Sequence, residues 1–168
     1  MDKLNINAKA FGIAALAYIL VLGSSGSLQA QRNGPASDRG LQGTWWVTVT
    51  LYDCITHQER PPFVSLLAFA QGGTMTETTA NAAFQVGQRS TGFGTWAHLT
   101  DRTYTSIDDA FILFTAGPFT QGTQRIDHSI TVSLHGNQFN DDATVQFFDT
   151  NGNLIGTGCA RAAGTRLQ

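Results

Sequence analysis

LQGTWWVTVTLYDC, residues 41–54, alternates without a break. Trp45, Val47, Val49 and Leu51 fall on one face, and Trp46, Thr48, Thr50 and Tyr52 on the other. A period of two carried by β-branched and aromatic residues specifies a strand with one face in a core. Gly40 and Gly43 mark its start, and Cys54 marks its end. This stretch reads as the first strand of a closed β-barrel whose last strand returns beside it.

Upstream of that strand the pattern changes. Lys3 and Lys9 give a positive start, AFGIAALAYILVL (10–22) is apolar, and GSSGSLQA (23–30) ends in residues that suit signal cleavage. The spacing predicts a secretory signal peptide over 1–30, cut after Ala30. The apolar run falls short of the roughly 20 residues a membrane span needs, so no stable membrane insertion is expected once the signal is removed. QRNGPASDRG (31–40) is polar with Gly and Pro and reads as a disordered leader. The barrel domain is then 41–168, and the location is secreted or periplasmic.

Composition agrees with an all-β chain. Charged residues make up 13% of it, about half the usual share. Eighteen Gly and eleven Phe accompany many Thr. The formal net charge of −2 leaves no basic footprint for nucleic acid. Both lysines sit in the signal segment, so partners selected by strong electrostatics are not expected.

Downstream, period-two or apolar runs recur between short turns. They cover about 63–70, 74–80, 93–99, 103–114, 124–134, 138–149 and 154–166. Gln71-Gly72-Gly73-Thr74 and Asp149-Thr150-Asn151-Gly152-Asn153 are hairpin signals, the second because Asn-Gly accepts positive φ at little cost. Gly117-Pro118 breaks the fifth strand. The count is about eight strands joined mostly by tight turns, which is an up-and-down barrel. Eight strands enclose room for side chains or for one small ligand. The longest connection, NAAFQVGQRSTG (81–92), carries Phe84 and Val86 and reads as a cover over the mouth.

Cys54 and Cys159 are the two cysteines, and export makes a disulfide between them the expectation. That bond would put the last strand beside the first, with Val47 opposite Arg166. The face of the last strand opposite to Cys159 would then hold Gly156, Gly158, Ala160, Ala162 and Gly164, small residues that leave the lumen open.

Gly43-Thr44-Trp45 resembles the Gly-x-Trp opening of the first strand in lipocalins and related calycin barrels. That resemblance implies that Trp45 plugs the closed end and that Arg166 packs across it. Gly94-Thr95-Trp96 repeats the motif at the fourth strand. Two features depart from the family. No helix of the kind that follows the barrel in long lipocalins is expected, and Thr100-Asp101-Arg102, which looks like the lipocalin Thr-Asp-x turn, lies between strands four and five, where the resemblance does not lead one to expect it. Small secreted barrels of the allene oxide cyclase-like group offer a second resemblance, and with it an enzyme.

The candidate lumen residues are Phe69, Glu77, Trp96, His98, Ile126 and His128. Trp96 and His98 share a face of the fourth strand. If inward and mid-barrel they supply a stacking surface and a polar handle, and if outward they are an exposed pair. His128, among Ile126, Ile130 and Val132, is either a ligand anchor or a core histidine satisfied by a neighbour. Glu77 is either an inward acid–base group or a solvated surface carboxylate. Only one member of Asp108-Asp109, and one of Asp141-Asp142, can face inward. No spacing supports a metal site, and no cofactor motif is present.

Three functions follow as expectations. The first is a carrier or sensor that holds a small hydrophobic molecule. The second is a cofactor-independent cyclase or isomerase using Glu77 or His98. The third is a partner-binding module presenting Trp46 and Tyr52 on its outer wall.

Overall fold

The computed structural model describes residues 40–113 and 121–167. The expected signal segment, the leader up to residue 39 and the Gly117-Pro118 break lie outside them. Eight strands are present: β1 (Gly43–Tyr52), β2 (Phe63–Phe69), β3 (Thr74–Thr79), β4 (Gly92–Thr100), β5 (Thr103–Leu113), β6 (Gln121–Val132), β7 (Gln138–Asp149) and β8 (Leu154–Arg166). Each pairs antiparallel with the next, and β8 returns to pair with β1, so the barrel is closed and up-and-down. Among the described residues no sheet edge is left unpaired, which removes the usual route to edge-to-edge aggregation.

Alternation sets the inside of the barrel. Trp45 and Val47 of β1, Leu67 and Phe69 of β2, and Met75 of β3 are buried, with Tyr104, Ile130, Val132 and Phe139 from the later strands. Burying each large apolar side chain contributes roughly 1.5–3 kcal/mol. This cluster fills one end of the barrel and forms a plug.

Trp45 sits at the centre of the plug. Its indole Nε1 donates to the Leu41 carbonyl at 2.9 Å, and its ring meets Phe139 edge-on at 4.9 Å. The Arg166 guanidinium lies 4.1 Å from the centre of the Trp45 ring. Arg166 also donates to the carbonyls of Gly136 at 2.7 Å and Gly40 at 2.6 Å, and to that of Gln42. Gly43 adopts a φ of 129°, and a Cβ there would press on Arg166 Nη1. Gly43, Trp45 and Arg166 thus form one packing unit, in which the glycine makes the space that the guanidinium fills.

Cys54 and Cys159 are bonded, with Cα atoms 5.3 Å apart. A disulfide of this kind persists in an oxidising, extracytoplasmic compartment. The register differs by two residues from the one expected: Trp45, and not Val47, lies opposite Arg166. The β1 ladder ends at Tyr52, which faces Cys159, while Cys54 lies in the turn beyond and reaches back diagonally. A shift of two leaves every side chain on its face.

Candidate functional site

Above the plug the inward positions turn polar. Ser65 of β2, Glu77 of β3, Ser106 and Asp108 of β5, Gln124 and His128 of β6, and Asp141 of β7 are all buried. Arg89, from the connection between β3 and β4, reaches in from the side. Its strand-like end is tied to β5: Ser90 N donates to Phe111 O at 3.0 Å and Leu113 N to Gln88 O at 2.7 Å.

The buried charges form one chain. Arg89 Nη2 lies 2.6 Å from Glu77 Oε2 and 3.9 Å from Asp108 Oδ2. Arg89 Nε donates to Gln124 Oε1. Glu77 Oε1 accepts from the Ser65 hydroxyl at 3.0 Å. His128 lies between two carboxylates, with Nε2 3.1 Å from Asp108 Oδ1 and Nδ1 2.6 Å from Asp141 Oδ2. The second Asp141 oxygen accepts from the Ser129 backbone N–H at 3.1 Å.

With an acceptor at each ring nitrogen, His128 is held as an imidazolium. Burial alone disfavours that charge. The hydrogen bonds that His128 donates to Asp108 and Asp141, and the charge of both, outweigh the burial and raise its pKa to about 10. Asp108 Oδ2 and the Ser106 hydroxyl have no hydrogen-bond partner among the described residues. Asp108 owes its place to Gly92, because a Cβ there would strike Oδ2.

Over this floor stands a cavity of about 460 Å³. Its upper wall is apolar, formed by Val49, Leu51, Ile126, Val145, Phe147 and Ala160 among others. Gly158, Ala160 and Ala162 of β8 face it, and their small size keeps it open. Asn81, Ala83 and Phe84 of the β3–β4 connection close one side, and Cys54, Cys159, Asp53 and Arg60 rim the mouth. The volume lies in the range of small-molecule pockets, roughly 300–1,000 Å³.

Of the lumen residues expected from the sequence, Glu77, Ile126 and His128 line this cavity. Phe69, Trp96 and His98 do not. Phe69 is part of the plug and meets the Trp96 ring edge-on at 6.2 Å. Trp96 is half-buried at the closed end, donating Nε1 to Ala70 O at 2.9 Å. His98 is exposed, with Nε2 2.8 Å from Asp101 O in the β4–β5 turn. The mid-barrel placement of Trp96 and His98 is therefore corrected: β4 runs past the floor toward the plug, and these two lie below the cavity. Glu77 and His98 do not meet, so they form no acid–base pair.

Within the paired aspartates, Asp108 and Asp141 face inward. Asp109 faces out, where Arg125 holds it through two hydrogen bonds of 2.9 Å. Asp149 is a turn residue whose carboxylate accepts from Asn151 N, Asn153 N and Asn153 Nδ2. Among the described residues no group of three or more His, Cys, Asp and Glu is arranged to hold a metal ion. Sequence reasoning missed Arg89 and Gln124 altogether. Gln124 has the inward parity of His128 and could have been found that way, whereas Arg89 sits in an aperiodic polar loop that carries no such signal. Comparison with family models, curated proteins and solved structures finds no match for this chain.

Proposed function

We propose that this barrel is an exported carrier or sensor that binds a small, mainly apolar molecule in its lumen, in the manner of a lipocalin. The single observation that carries the reading is the cavity: an apolar wall above a small number of fixed polar groups, open at one end. The disulfide and the signal-like segment at 1–30 support an extracytoplasmic setting.

Trp45 and Trp96 belong to the closed end and Trp46 to the outer wall, so tryptophan emission is a poor reporter of the cavity. Displacement of N-phenyl-1-naphthylamine by a panel of fatty acids, terpenoids and aromatic polyketides is the suitable assay. One-to-one displacement by a member of the panel, lost in Ala160→Phe, is the expected result. A protein that takes up neither dye nor panel would end the proposal.

A second reading, a cofactor-independent cyclase or isomerase, draws on the burial of Glu77 at the cavity floor beside Arg89. Clusters of buried ionisable groups in a cleft are common at catalytic sites. In such an enzyme Glu77 moves the proton, and His98 has no part. Glu77→Gln should then remove turnover on a bound substrate and spare its binding; unchanged turnover rejects the assignment.

A further inference from the structure

The floor of the cavity is unequal in charge and in hydrogen-bonding capacity. Three carboxyl groups, Glu77, Asp108 and Asp141, stand against two cationic groups, Arg89 and His128. All five side chains are almost fully buried, where a charge acts far more strongly than it does in water.

The cations already face carboxylates. Both His128 nitrogens point at carboxylates. Arg89 directs Nε to Gln124 Oε1 and Nη1 to Ser90 O at 3.3 Å, while its Nη2 forms an ion pair with Glu77 Oε2 but has no hydrogen-bond partner among the described residues. An anion that reached the spare N–H donors of Arg89 would stand beside Glu77 and Asp108, whose charges oppose it. The neutral donors at this level are the amide nitrogen of Gln124, whose oxygen faces Arg89, and the Ser106 hydroxyl, which has no partner among the described residues.

The acceptors, by contrast, are in surplus, since each carboxylate oxygen can take more than one donor. Glu77 and Asp141 open onto the cavity. Asp108 stands directly behind them with Oδ2 lacking a hydrogen-bond donor. That oxygen and Glu77 Oε2 converge on the same point beside Gly92. The rim carries one acidic and one basic side chain, Asp53 and Arg60, whose formal charges sum to zero, so discrimination falls to the floor.

We propose that the lumen selects amphipathic molecules with a cationic head, an ammonium or amidinium group on an apolar body, and disfavours the matching carboxylates. The head rests on Glu77 and Asp141 and offsets the excess negative charge; the body lies along Val49, Leu51, Ile126, Val145 and Phe147. This inference rests on the lumen-binding reading above and adds the chemistry of the ligand.

The test is isothermal calorimetry of the disulfide-intact protein at neutral pH with decylamine, decan-1-ol and decanoate, each below its aggregation limit. The three share one tail and differ in head charge. Decylamine should bind at least about tenfold more tightly than decanoate, with decan-1-ol between them. Ala160→Phe, which fills the apolar wall, should abolish binding of all three. Equal affinities, or a preference for decanoate, overturn the charge selectivity and leave lumen binding standing. Decylamine binding that survives Ala160→Phe also overturns it, because the amine is then held on the acidic surface. Failure of all three to bind counts against lumen binding itself, and the selectivity falls with it.

Discussion

His128 carries a charge that the unfolded chain gives up. Its pKa rises from 6.5 to about 10 in the fold because Asp108 and Asp141 bracket the ring and outweigh the effect of burial. A raised pKa means that the stabilisation is complete below pH 6.5 and is lost as pH climbs through the folded value. Between those limits the fold binds more protons than the unfolded chain, so stability falls by up to about 1.4 kcal/mol per pH unit. Urea denaturation between pH 7 and pH 9.5 should show that decline, and His128→Gln should flatten it. Arg89 gives a second prediction. Removing it strands Glu77 in the interior, which should cost about 3–5 kcal/mol of unfolding free energy in Arg89→Met. Arg125→Met, which breaks a half-exposed pair with Asp109, should cost less than about 1 kcal/mol in the same denaturation experiment.

The strand that makes the cavity possible is β8. Its inward positions are Gly156, Gly158, Ala160, Ala162 and Gly164, until Arg166 closes the series at the plug. Across from it β7 sets Phe147 opposite Gly156, Val145 opposite Gly158 and Ala143 opposite Ala160. Large residues on one strand thus meet small ones on the next, and space remains where alanine meets alanine. Ala160→Leu places its branches in that space, so the melting temperature should stay within a few degrees, while dye uptake weakens by about tenfold or more. A large fall in melting temperature would show that the space is already filled. The β3–β4 connection plays the other part. It supplies Phe84 to the side of the cavity and Arg89 to its floor, and so couples the cover to the charges beneath it.

The whole barrel is fastened where its ends meet. Cys54 and Cys159 are 105 residues apart in sequence, and their bond confines nearly the entire sheet in the unfolded chain. The double variant Cys54→Ser/Cys159→Ser should lose roughly 2–4 kcal/mol of unfolding free energy. Because β1 and β8 share a full ladder without the bond, it should still fold to the same barrel, as circular dichroism would report.

Much of this architecture is legible in the chain alone. Period-two alternation named the strands, turn residues separated them, and parity put Ile126 and His128 on one face of their strand. These are local properties, fixed by the two-residue repeat of an extended backbone. The inward place of Glu77 stayed open until the barrel closed. Height along the barrel is not local. His98 and His128 both obey the inward pattern, yet one ends exposed beside the β4–β5 turn and the other lies buried between Asp108 and Asp141. Strand tilt and stagger decide which inward residues share a level, and they emerge only when the sheet closes. The same closure brought Arg89, from a loop without periodicity, against Glu77 and Asp108, and so turned a row of separate polar residues into one charged floor.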